Sequence, residues 1–173
     1  MESRQDALTH ARSLMAQIDT ALSAIDDLRF TIGCIDVAPG SINTIPAKAE
    51  FTLDVRHPHP EVLARAAAQI EFLCSGVQVT RLIYQAPVPF DARVIRTIET
   101  ATQHQGLSSR RIVSGATHDA AHVADLCPAG MIFVPCRDGV SHNENEHCAP
   151  EHVIQGTQVL VETVMALAER SEL

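Results

Sequence analysis

The sequence predicts an α/β chain in two parts. The first is an α+β unit on an antiparallel sheet, and the second alternates strands and helices. Three observations carry this. Apolar residues recur every three to four positions at the start of the chain and every second position near residue 50. Ala86-Pro87-Val88-Pro89 has linker chemistry and separates stretches of different composition. Met131-Ile132-Phe133-Val134 is a short apolar run, the mark of a strand buried on both faces.

The first helix carries one stripe, Leu8, Ala11, Met15, Ile18, Leu22 and Ile25, and ends near residues 25–27. Arg29 to Val37 follows as a strand with β-branched Thr31, Ile32, Ile35 and Val37, and Ala38-Pro39-Gly40-Ser41 is a loop. Phe51, Leu53 and Val55 alternate with Glu50, Thr52, Asp54 and Arg56, which sets a buried face against a polar face and puts Arg56 beside Asp54. His57-Pro58-His59-Pro60 stops that strand. Pro60 and Glu61 open a helix with the stripe Leu63, Ala66, Ala67, Ile70 and Leu73. Ser75-Gly76 closes it, and Val77 to Tyr84 reads as a third strand. The order helix, strand, strand, helix, strand is a ferredoxin-like split unit without its first strand, so the chain is expected to be a piece of something longer.

In the second part Asp91 caps a helix with Val94, Ile95, Ile98 and Ala101 on one face. A short strand at Arg111-Ile112-Val113, the loop Ser114-Gly115-Ala116-Thr117 and a short helix from Asp119 to Leu126 follow. After the apolar run comes a polar loop from Arg137 to Cys148. Pro150 then opens a last helix with the stripe Val153, Leu160, Val161, Val164 and Leu167.

Composition narrows the function. With 46% apolar residues in 173, the chain can form a core and is not a disordered segment. Aromatics at 3% leave no stacking platform for single-stranded nucleic acid, and a net charge of −8 opposes binding to nucleic acid or an anionic membrane. No apolar run approaches the ~20 residues of a membrane span. The polar N-terminus has no signal-peptide core. Five scattered cysteines, without a CxxC pair, point to a reduced, cytoplasmic protein.

Three places can carry chemistry. The loop from Gly139 to His147 follows a strand's C-terminal end, where α/β sheets assemble sites, and His142 among carboxylates suits a metal or a proton; the same loop also reads as solvated polar surface. Ser114 to Asp119 is a small-residue turn that lets backbone approach a ligand, or a plain strand-to-helix turn. Asn43 and Arg56 read as a carboxylate clamp meeting at one end of the sheet, against Arg56 paired with Asp54 on the surface. His57, His59, His104, His122, His147 and His152 share no ligand spacing and read as surface residues. GxSxG, Walker, GxGxxG and HExxH patterns are absent, and Cys136 has no low-pKa setting that would make it a nucleophile.

These places together resemble one family. Gly40-Ser41-Ile42-Asn43-Thr44-Ile45-Pro46 and Phe51-Thr52-Leu53-Asp54-Val55-Arg56-His57-Pro58 are similar to the lid segment of the M20 metallopeptidase-like amidohydrolases. The nearest branch is the N-carbamoyl-amino-acid hydrolase, allantoate amidohydrolase and ureidopropionase group. Ser114-Gly115-Ala116-Thr117-His118-Asp119-Ala120 resembles that group's SGAGHDA loop. Met131 to Cys136 followed by Gly139-Val140-Ser141-His142-Asn143-Glu144 resembles its metal-ligand loop, and Ser3 to Leu8 its lid helix.

The resemblance implies a lid and dimerisation domain over residues 1–87. It implies the C-terminal segment of a zinc-peptidase-like catalytic domain over 88–173. It implies that Asn43 and Arg56 hold a substrate carboxylate, that Gly115, Ala116 and His118 border the substrate, and that His142 is a metal ligand. The implied reaction is hydrolysis of a carbamoyl or amide C–N bond, assisted by zinc, manganese or nickel. The family's other ligands and its Glu base belong to an N-terminal half, so this chain is expected to be inactive alone and to bind metal weakly. Thr117 stands where the family has Gly. The implied partners are a small carboxylated substrate, a second copy through the lid and a complementing N-terminal chain. The alternative is a non-catalytic dimeric binding or assembly module derived from the lid.

Overall fold

A computed structural model describes residues 5–169, so Ser3 and Arg4 of the lid-helix resemblance lie outside the described residues. The chain divides into two compact units, Met1–Pro87 and Val88–Leu173, described separately below.

In the first unit, helix α1 (Ala7–Ser23) begins where the Asp6 carboxylate accepts the Thr9 N–H at 3.1 Å, leaving one fewer orphan donor in the first turn. Its buried face is Ala11, Leu14, Ile18 and Leu22; Leu14 takes the place expected of Met15, and Leu8 is exposed. Strands β1 (Arg29–Ala38) and β2 (Lys48–Arg56) pair antiparallel, from Arg29 opposite Arg56 to Ala38 opposite Lys48. The register slips between Ile32 and Ile35, and the Cys34 N–H freed there donates to the Thr52 hydroxyl at 3.0 Å. The bulge switches parity, so Phe30 and Ile32, then Ile35 and Val37, face Val55, Leu53, Phe51 and Ala49. Helix α2 (Pro60–Leu73) contributes Ala66, and Cys74 follows it; with Leu14, Ile18 and Leu22 they form the core against Phe30, Phe51, Leu53 and Val55.

The expected third strand does not form. Residues 77–84 have no ladder partner among the described residues, and Leu82, Ile83 and Tyr84 are exposed. A strand is a pairing rather than a property of a segment, and β-branched content without a neighbour's N–H and C=O groups yields none.

In the second unit, helix α3 (Ala92–His104) packs against helix α5 (Pro150–Glu169), and a short helix α4 (Asp119–Ala124) lies between them in sequence. The buried contact includes Thr97, Thr102 and Thr163, whose hydroxyls donate to the carbonyls of Arg93, Ile98 and Val159 at 3.0, 2.7 and 2.7 Å. Their polarity is satisfied locally, so they pack like valine. The α5 stripe differs from expectation: Val159 and Thr163 are buried, while Val153, Leu160, Val161 and Val164 are exposed. Residues 111–113 and 131–134 form no ladder, and Phe133 is 49% exposed rather than buried on both faces. Segment 130–134 instead lies against both helices through two glycine notches. A Cβ on Gly130 would meet Val94 Cγ1 at 2.8 Å, and one on Gly156 would meet Val134 Cγ1 at 2.5 Å. Glu162 on α5 ties down the end of α3, taking His104 Nδ1 at 2.8 Å and Gln105 Nε2 at 3.1 Å. Among the described residues no helix is long and apolar enough to cross a membrane.

Gly156→Ala is expected to destabilise the second unit, although alanine is favoured in a helix by about 1 kcal/mol, because overpacking costs about 1–3 kcal/mol. Val134→Ala in the same chain relieves the clash. A urea-unfolding double-mutant cycle checks this, and purely additive effects would refute the notch.

Asp91 yields a pH prediction. Its carboxylate accepts the N–H groups of Val94 at 3.1 Å and Arg93 at 2.8 Å, which hold the carboxyl below its ordinary range. A depressed carboxyl adds stability above its unfolded value, and that stability is lost as pH falls through the folded value. Asn caps comparably but does not titrate. Asp91→Asn is therefore expected to be less stable than the parent near neutrality and to converge with it in acid. Unfolding midpoints across a pH series test this, and a pH-independent gap would count against it.

Candidate metal and substrate site

The loop expected to hold a metal is closed at its base. Cys136 and Cys148 face each other as a single antiparallel bridge, and the Arg137 N–H donates to the His147 carbonyl at 2.8 Å. A 3-10 turn at Arg137–Gly139 reverses the chain with Asp138 and Gly139 at positive φ. His142 also has positive φ, 56°, unusual for a side chain with a Cβ. Glu146 holds it there: one carboxylate oxygen accepts the His142 N–H at 2.8 Å, and the other lies 4.0 Å from Cys136 Sγ. Asn143 tightens the turn, its side-chain oxygen accepting the Asn145 N–H at 2.9 Å.

The His142 ring is exposed, and its Nδ1 meets the Ser141 hydroxyl at 2.9 Å. Metal-binding histidines are commonly anchored this way, one ring nitrogen on an outer partner and the other on the metal. His142 therefore fits a ligand's chemistry through Nε2. Among the described residues no three His, Cys, Asp or Glu side chains converge as a metal site.

The second expected element is a turn with a hydrogen-bonded interior. Gly115 sits at φ 70°, which suits glycine, and Ser114 Oγ lies 3.3 Å from the Ala116 N–H and 3.0 Å from its carbonyl. His118 caps α4, its Nδ1 accepting the Ala120 N–H at 3.0 Å. That bond occupies one ring nitrogen of a residue expected at the substrate.

Asn43 and Arg56 do not meet within one chain. Asn43 lies in the loop that joins Ala38 to Lys48, whereas Arg56 ends β2 opposite Arg29, at the other end of the ladder. Eight residues of strand at about 3.3 Å each separate that loop's anchor from Arg56 by about 26 Å. Strand alternation fixes a face and says nothing of which end, and the joining loop necessarily sits at β2's start. Asn43 Oδ1 takes the Ser41 hydroxyl at 3.0 Å. The Arg56 fork grips Asp54, Nε at 2.7 Å and Nη2 at 3.2 Å, and this pairing pushes the guanidinium pKa further up. Both side chains are about half exposed, 47% and 54%, so the Arg56–Asp54 pair is worth under about 1 kcal/mol.

Two features were missed in the sequence. His152, read as a surface residue, is half-buried, and its Nδ1, shielded from solvent, has no hydrogen-bond partner among the described residues. The Cys136–Cys148 juxtaposition has no signal in a spacing of twelve residues; only the loop's closure creates it.

The chain belongs to peptidase family M20/M25/M40, whose description matches residues 10–166. It is 32% identical to the allantoate amidohydrolase of Bacillus subtilis, over 97% of this chain and 43% of that protein. It is 34% identical to the N-carbamoyl-L-amino acid amidohydrolase of Geobacillus stearothermophilus, over 98% of this chain and 43% of the relative. A crystal structure of an amidase of the hydantoinase/carbamoylase family from Burkholderia vietnamiensis superposes with a TM-score of 0.85 at 34% identity, covering 96% of this chain and 42% of that one. The chain thus spans less than half the length of these relatives.

Glu146→Ala is expected to release the His142 backbone. Charge-assisted hydrogen bonds contribute about 1.5–3 kcal/mol, so exchange of the His142 amide should accelerate at least about tenfold while α3 amides stay unchanged. Hydrogen exchange followed by NMR reads this out, and an unchanged His142 rate would remove Glu146 from its role.

Proposed function

We propose that this chain takes part in metal-dependent hydrolysis of a non-peptide C–N bond, on an N-carbamoyl amino acid or an allantoate-like substrate. The observation that carries the reading is the His142 loop, with a strained backbone held by Glu146 and a ring anchored by Ser141. The names of the relatives, amidohydrolases of allantoate and N-carbamoyl amino acids, support the substrate class. A divalent metal, zinc, manganese or nickel, supplies Lewis-acid polarisation of the scissile carbonyl and an activated water. His142 offers it one nitrogen. A catalytic zinc takes about three protein ligands and an open position, so the remaining ligands and the general base come from outside the described residues, in a complementing N-terminal polypeptide.

Arg56 and Asn43 bind the substrate carboxylate in this reading. Because about 26 Å of ladder lies between their positions, one carboxylate touches both only if two copies contribute, Arg56 from one and Asn43 from the other. A homodimer through the hairpin unit is therefore part of the proposal. Gly115 and Ala116 line the substrate with backbone, and Thr117 narrows that approach. Arg56 leaves Asp54 for the substrate at little cost, and a guanidinium fork matches two carboxylate oxygens where an ammonium does not.

The chain alone is expected to bind zinc weakly and to leave N-carbamoyl amino acids intact. Mixing with the N-terminal part of an N-carbamoyl-L-amino acid amidohydrolase is expected to raise zinc affinity, with His142→Ala reversing the gain. In the complemented enzyme Arg56→Lys should weaken substrate binding about ten- to a hundredfold and Asp54→Asn far less. Calorimetric zinc titration and kinetics check these outcomes. Tight stoichiometric zinc with turnover by the chain alone would overturn the need for a complement, and an Arg56→Lys effect within about twofold would overturn the clamp.

A further inference from the structure

We propose that Cys136 and Cys148 are a reversible oxidation site, closing to a disulfide at the base of the His142 loop when they meet a peroxide. The two residues oppose each other across an antiparallel bridge. The Arg137 N–H to His147 carbonyl bond, 2.8 Å, joins the residues just inside that pair, which makes Cys136 and Cys148 a non-hydrogen-bonded pair. Such pairs hold their Cα atoms about 4.5 Å apart, within the range a disulfide spans. Neither residue is fully buried, and both are free thiols in this structure. Burial, with the nearby Cys136 and Glu151, pushes the Cys148 thiol up. The remaining cysteines, Cys34, Cys74 and Cys127, have no such facing partner among the described residues.

The chemistry runs in two balanced steps. Solvent takes the Cys136 thiol proton, so the step needs no specially activated cysteine. The Cys136 thiolate then attacks one oxygen of hydrogen peroxide, the O–O bond breaks, and the departing hydroxide leaves as water with that proton; Cys136 is a sulfenic acid. The Cys148 sulfur attacks Cys136 sulfur, the S–O bond breaks, and hydroxide leaves as water with the Cys148 proton. Two thiols are oxidised, one peroxide is reduced to two waters, and a thiol reductant reverses the bond. The link encloses residues 137–147, including both His142 and Glu146. It removes the Cys136 thiol that Glu146 faces and pins the two ends of the loop. The inference does not depend on His142 ever holding a metal.

The test treats the whole chain with hydrogen peroxide, blocks remaining thiols and digests with trypsin. Cleavage after Arg111, Arg137 and Arg170 separates Ile112–Arg137, which carries Cys127 and Cys136, from Asp138–Arg170, which carries Cys148. The expected result is loss of two of the five thiols, an intrachain link between those peptides, and its release by dithiothreitol. Cys127→Ser should keep the link, and Cys136→Ser or Cys148→Ser should abolish it. In Cys148→Ser, dimedone should label Cys136. Linkage through Cys127, cross-links between chains through Cys34, or sulfinic acid on Cys136 with Cys148 still reduced would each overturn the proposal.

Discussion

A ladder of two strands does not hold itself together in water, so the first unit depends on the helix face laid across it. Ile18 and Leu22, essentially without solvent contact, anchor α1 to the sheet. Each such side chain contributes about 1.5–3 kcal/mol on burial, and with Leu14 they hold the hairpin. The separation of Asn43 from Arg56 follows from that hairpin's length and direction. The second unit, which has no ladder among its described residues, rests on a different device: threonines that satisfy their own hydroxyls and two glycines that admit segment 130–134 between helices. That segment delivers the chain to Cys136, so the His142 loop starts from a position fixed by missing side chains.

Much of this was legible in the sequence. The alternation from Glu50 to Arg56 gave β2 its two faces, and the stripe Ala11, Ile18, Leu22 gave α1 its core side. The bulge after Ile32 was not legible, because one extra residue reverses parity without any compositional mark, and Gly33 is only permissive of it. Leu14 displaced Met15 because the stripe's direction is set by the surface it meets. The α5 stripe misled for a related reason. Counting apolar residues favours Leu160 and Val164, while Thr163 enters the core with its hydroxyl spent on Val159.

The site was legible as motifs and illegible as geometry. His142, Gly115 and His118 fall in turns where the sequence put them, yet their work within the fold is partly local: a left-handed backbone, a positive φ and a helix cap. Asn43 and Arg56 were read as meeting because both flank one strand. Attention to chain direction separates them, since the turn before a strand and the residue ending it lie at opposite ends. Strands expected at 77–84, 111–113 and 131–134 show the limit of any single-segment argument. Their apolar content is real, and pairing is supplied or withheld by other parts of a molecule.

The uncovered side of α5 has a colloidal consequence. Val153, Leu160, Val161 and Val164 present a greasy strip to solvent, flanked by the hollow beside Ile132 and Val134. What keeps such surfaces apart at neutral pH is mutual repulsion between molecules that each carry a net charge of −8. Toward the isoelectric point near 5.5 that repulsion fades while the strip stays as sticky as before. Mild acid and added salt, which shorten the reach of charge, thus push this molecule toward clumping without unfolding it.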